Sequence, residues 1–242
     1  MRIPTHGRIP NHFVGLGVAG LVVTLATVFL IGCKPHGGGS QNSIILNPDE
    51  IKLKAEHSDP EAQTTLGMMY AKGLSVTQSY KEAANWYRRA AAQGHPPAQN
   101  SLGELCEVGQ GVPRDEAEAA SWYRKAAEKG YAPAQYNLAV LYTVGRGVAM
   151  DATEAMAWYR RAANQGDSLA QYNLGMRFFE GNGVTQNFTV AYQWLSLAAA
   201  QKIPDAEKAR NQLKKSMSPD QLTEGRRRVN EFVPKRETTL SH

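Results

Sequence analysis

The sequence predicts an all-α protein made of stacked helical hairpins, and three observations point there. The same residues recur every 36 positions through most of the chain. Inside each copy the apolar side chains fall at helical spacing, and runs of Val, Ile and Thr are missing outside the N-terminal stretch. A fixed period of this length marks a helical array, because one hairpin cannot bury its apolar stripe alone and copies must stack.

Four copies span residues 60–203, with boundaries at 60–95, 96–131, 132–167 and 168–203. Each opens on Ala and Gln, at Ala62-Gln63, Ala98-Gln99, Ala134-Gln135 and Ala170-Gln171. Leu66, Leu102, Leu138 and Leu174 follow, and Ala62, Leu66, Met69 and Tyr70 share one helix face. Gly73, Gly109, Gly145 and Gly181 then permit a tight reversal. The second half of a copy starts with Ser79, Asp115 or Asp151, three positions before Glu82, Glu118 or Glu154. That is capping-box spacing, which satisfies two orphan N–H donors at a helix start. Trp86, Trp122, Trp158 and Trp194 are expected to fill the space between hairpins, and the alanine pairs after them to let helices approach closely.

Flanking segments close the ends. Residues 48–59 predict an N-terminal capping helix with proline at its first position. Residues 204–242 predict C-terminal capping helices and a tail, with Ser218-Pro219 starting a helix that reaches about Phe232. Arg226, Arg227 and Arg228 there read as a solvated cap face, with a basic patch as the alternative.

The N-terminus has a different character. Arg2 and Arg8 precede an uncharged apolar stretch over residues 13–32, the layout of a secretory signal and also long enough to span a bilayer. Leu30-Ile31-Gly32-Cys33 resembles the lipobox of bacterial lipoproteins. The resemblance implies cleavage of residues 1–32 and lipidation of Cys33, with an uncleaved transmembrane anchor as the alternative. More than one acyl chain anchors stably. Lys34, where an Asp would favour inner-membrane retention, leans toward the outer membrane of the cell envelope. Residues 33–47 then form a lipid-attached spacer whose Gly37-Gly38-Gly39-Ser40 run predicts flexibility.

The repeat columns resemble the Sel-1-like repeat family, a relative of the tetratricopeptide repeat. Gly109-Gln110-Gly111-Val112 and Trp122-Tyr123-Arg124-Lys125-Ala126-Ala127 carry the pattern. Departures are few: Gly73-Leu74-Ser75-Val76 lacks the second glycine, Ala139 replaces a glycine, and Leu195 replaces the tyrosine after Trp194. The resemblance implies a right-handed α/α solenoid acting as a scaffold or adaptor for a protein or peptide partner.

Catalytic chemistry is poorly represented. The histidines match no metal-binding spacing, Cys106 shares the column of Tyr70, Tyr142 and Phe178, and neither a metal nor a cofactor is expected. Gly15-x-Gly17-x-x-Gly20 spells a dinucleotide fingerprint, but it lies inside the apolar stretch with no strand before it. Without residues 1–32 the chain has 25 Lys and Arg against 22 Asp and Glu, which does not predict nucleic-acid binding. Some secreted members of the resembled family carry paired cysteines and a β-lactamase-like label; this chain lacks those cysteines. A cell-wall hydrolase and a structural tether to peptidoglycan remain the alternatives to a scaffold.

The candidate partner site lies on the first helix of each copy, opposite the core. By resemblance to tetratricopeptide arrays this face lines a groove, where Tyr136, Val140, Tyr172, Met176 and Phe179 supply apolar contacts. These columns differ between copies, as expected where a partner sets the residue; packing of the aromatics between neighbouring helices is the alternative. Glu104 and Glu107, one copy earlier, are placed to meet a basic part of the same partner.

Overall fold

Residues 47–235 are described in the computed structural model, and every regular element among them is an α-helix. The capping helix α1 spans Pro48–Glu56. The four copies are α2 (Pro60–Lys72) with α3 (Tyr80–Ala92), α4 (Pro96–Val108) with α5 (Glu116–Glu128), α6 (Ala132–Val144) with α7 (Ala152–Asn164), and α8 (Ser168–Glu180) with α9 (Phe188–Ala200). Then come α10 (Ala206–Lys214) and α11 (Pro219–Glu231). Each helix packs on the one before and the one after it from α1 to α10, and α11 returns to pack on α9. The proposed signal segment, Cys33 and most of the spacer lie outside the described residues.

Local chemistry sets the boundaries. Every first helix stops at a glycine in the left-handed region, with φ of +68° at Gly73 and +80° at Gly109. Ser79, Asp115, Asp151 and Asn187 cap the second helices by accepting the backbone N–H three residues on. Only half of the expected capping box forms in the repeats. The cap residue's own N–H donates instead to a carbonyl nine residues back, as from Asp115 to Cys106 at 2.9 Å and Asp151 to Tyr142 at 3.0 Å. The glutamates so released accept the indole N–H one turn later, Trp122 on Glu118 at 3.1 Å and Trp158 on Glu154 at 3.0 Å. A complete box forms at Ser218 and Gln221.

The core contains the leucine column, all four members buried, with the alanine pairs packed around it. The expectation for the tryptophans needs correcting. Tyr87, Tyr123 and Tyr159, one position later, are buried in each of the first three copies; Trp158 and Trp194 are buried as expected, but Trp86 and Trp122 are only half-buried. Glycine on the first helix makes room for the tyrosine: a Cβ at Gly67 would lie 2.6 Å from Tyr87, and one at Gly103 2.8 Å from Tyr123. The indoles lie further out, each under the cation three residues on, with Arg89, Lys125 and Arg161 at 4.5, 3.9 and 4.6 Å from the ring centres. In copy four Leu197 takes the cation's place and Phe232 meets Trp194 edge-on at 5.4 Å. The face of α9 that is charged in other copies is apolar because α11 and the segment after it cover it.

The second turn glycine joins neighbouring copies. A Cβ at Gly111 would lie 2.3 Å from the Tyr80 backbone, and one at Gly147 2.0 Å from the Glu116 carbonyl oxygen. Each turn thus rests on the start of the second helix one copy earlier. Copy one has no earlier hairpin at this place, which explains why Ser75 stands there, at φ +60°.

Candidate partner-binding face

First helices stand side by side along one face, tied by polar side chains. Asn137 donates to Asn100 at 3.0 Å from α6 to α4, and Arg177 donates to Thr143 at 2.7 Å from α8 to α6. The seven sequence-predicted groove residues all lie on these helices, but they are not equally available. Val140 and Met176 are half-buried, in line with Met68 and Glu104 of the earlier copies. Met68 on α2 is 37% exposed, and Val108 on α4, one turn after Glu104, is 41% exposed. Together these side chains make an interrupted apolar stripe across the copies.

The aromatics are more committed to the fold than a free groove lining would be. The Tyr136 ring packs on Tyr159 with centres 6.0 Å apart, and burial pushes its hydroxyl well above the usual range. Tyr172 and Phe179 are half-buried against the apolar cluster of Leu195 and Leu213, with Phe179 edge-on to Phe188 at 6.1 Å. Of the two expectations for these aromatics, the contacts favour packing between helices. Their partners lie on the second helices α7 and α9 and on α10.

The two glutamates also differ. Glu104 is exposed, accepts from Asn100 at 2.8 Å, and has its pKa raised by the protein crowding around this face. Glu107 is held internally by the Tyr123 hydroxyl at 2.9 Å and Arg146 at 3.2 Å. It is already paired and is not a free contact for a basic partner.

Arg177 was missed by sequence reasoning. It occupies the column of Met69, Leu105 and Leu141, is 9% exposed, and its guanidinium lies 5.2 Å from the centre of the Tyr159 ring. A charge in an otherwise apolar column was the available signal.

Elsewhere the chemistry is quiet. Cys106 is fully buried, and desolvation pushes its thiol up to about 11. Among the described residues no cluster of three or more His, Cys, Asp or Glu side chains is arranged to hold a metal. None of the described helices is long and apolar enough to cross a membrane. Arg227 and Arg228 form ion pairs with Glu224, Arg227 also with Glu231, so this end is a neutralised cap surface.

A helical repeat protein with one continuous first-helix face is thus defined. The Sel1 repeat profile matches residues 60–95, 96–131, 132–167 and 168–202, and the chain belongs to that family. A Sel1 repeat protein from Oxalobacter formigenes is 32% identical with a TM-score of 0.61, and the match covers 78% of this chain and 77% of that one. A protective antigen present in uropathogenic Escherichia coli strains, displaying an SLR fold, is 43% identical with a TM-score of 0.63. That match covers 66% of this chain but 34% of the antigen, so the chain spans about a third of its length. No curated protein matches the chain.

Proposed function

We propose that this protein is a non-catalytic scaffold in the bacterial cell envelope, held to a membrane through lipidated Cys33, with its first-helix face binding an extended segment of a partner protein. The observation that carries the reading is the stripe of Met68, Val108, Val140 and Met176, which keeps accessible apolar surface where the opposite sides of the same helices are fully buried. Accessible apolar surface recurring from copy to copy supports an interaction surface here. Exposed Glu104 interrupts it and suits a basic side chain of the partner. The relative described as a protective antigen fits an envelope location, with the outer membrane favoured by Lys34.

Replacing both Val140 and Met176 with Asp tests the binding reading, because neither side chain is fully buried. Partner capture by the tagged full chain should fall at least about tenfold while helicity is kept. Capture that persists at full strength would place the binding surface elsewhere. Mass spectrometry of the mature protein tests the anchor: a diacylated Cys33 N-terminus is expected, and a chain still starting at Met1 contradicts it.

A further inference from the structure

Glu107 and its two donors have a counterpart one copy later that lacks the carboxylate. In copy two the Glu107 carboxylate accepts from the Tyr123 hydroxyl at 2.9 Å and from Arg146, which comes from the following copy, at 3.2 Å. Thirty-six residues on, Tyr159 repeats Tyr123, but Thr143 stands where Glu107 stood. An arginine from the following copy again reaches in: Arg177 donates to Thr143 Oγ1 at 2.7 Å, with Tyr159 beside it and the Thr143 hydroxyl 3.5 Å from the Tyr159 hydroxyl. No ion pair to Arg177 exists among the described residues. A buried cation without an anion is costly.

The Thr143 hydroxyl gives its own proton to the Ala139 carbonyl at 2.8 Å, which leaves Tyr159 and Arg177 as the donors. We infer that Tyr159 and Arg177, beside Thr143, form a receptor for a carboxylate supplied by the partner, an Asp or Glu side chain lying where Glu107 lies in copy two. Thr143 is half-buried, so the approach is from the first-helix face, beside Val140. Charge-assisted hydrogen bonds to a guanidinium are among the stronger polar contacts. The inference rests on the first-helix face being the binding surface and adds the chemistry of one of its subsites.

The test uses the full chain in detergent and two labelled peptides, one alternating glutamate with valine and the other glutamine with valine. The acidic peptide should bind at least about tenfold more tightly, equivalent to about 1.4 kcal/mol. Thr143→Glu, which places the missing carboxylate within the chain, should abolish that preference and raise the melting temperature. Arg177→Met, which restores the apolar column, should abolish it without loss of stability. Equal binding of the two peptides, no binding of either, or a preference that survives Thr143→Glu would overturn the inference. If Val140→Asp with Met176→Asp weakens both peptides and Thr143→Glu weakens neither, the face still binds and only the carboxylate subsite fails.

Discussion

Gln201 donates its side-chain amide to the Gln171 side-chain oxygen at 2.9 Å, joining the end of one repeat to the start of the same repeat through the protein interior. Gln93 does the same for Gln63 and Gln165 for Gln135, both at 2.8 Å. Each acceptor glutamine is buried and spends its own amide on a carbonyl eight residues back, as Gln171 does on Ala163. Copy two breaks the series. Lys129 stands in the donor column, reaches the Gly94 carbonyl instead, and leaves Gln99 Oε1 buried without a donor.

Lys129→Gln should therefore stabilise the protein, by about 1 kcal/mol, the usual net value of a completed buried hydrogen bond. Thermal or denaturant unfolding reads this directly. A loss of stability would mean that the lysine contact with Gly94 matters more than the orphaned oxygen.

The neighbouring aromatics Trp122 and Tyr123 should respond unequally to truncation. Tyr123→Ala removes a ring that is 1% exposed and should cost about 3–5 kcal/mol. Trp122→Ala removes a half-buried ring and should cost about 1–2 kcal/mol. Equal losses would show that Trp122 is as firmly packed as Tyr123.

Gly147→Ala should disrupt the joint between copies two and three. Its φ is +65°, and the added methyl would meet the Glu116 carbonyl oxygen, so a loss of at least about 2 kcal/mol is expected. Ser75→Gly at the equivalent turn of copy one should change stability by less than about 1 kcal/mol. Hydrogen exchange should show the Gly147 effect concentrated in α5, α6 and α7.

Glu104 should make stability fall with rising pH. Its folded pKa is raised, first by desolvation and then by nearby Glu107, against the opposing pull of Asn100 and Lys72. The folded state therefore holds the proton more tightly than the unfolded chain. Its stabilising effect is complete at acidic pH and is lost as pH rises through the raised value. Glu104→Gln should flatten that part of the pH–stability profile, and an unchanged slope would assign the dependence to another group such as Asp167, also raised by burial.

Hairpin boundaries were legible because their signals are local. Caps such as Asp115 and stops such as Gly109 act within a few residues, and the 36-residue period multiplies them. The depth of Tyr123 relative to Trp122 was not legible in the same way. Both are large rings on one helix, and the choice depends on Gly103, twenty residues earlier, leaving space for one of them. Variation among copies was read as the mark of a partner, yet Tyr136 varies because a neighbouring helix packs on it. Column variation alone does not separate those two causes. Val190 and Leu197, apolar where other copies have charge, were a signal of a covered face that the sequence reading passed over, and α11 is what covers it.

Site-specific photo-crosslinking in living cells tests the scaffold reading most directly. A photoreactive residue at Val140 or Met176 should give discrete protein adducts, while the same probe at Glu128 or Arg160, exposed on second helices, should give none. Adducts confined to the second-helix positions, or absent from both faces, would contradict a partner bound along the first helices.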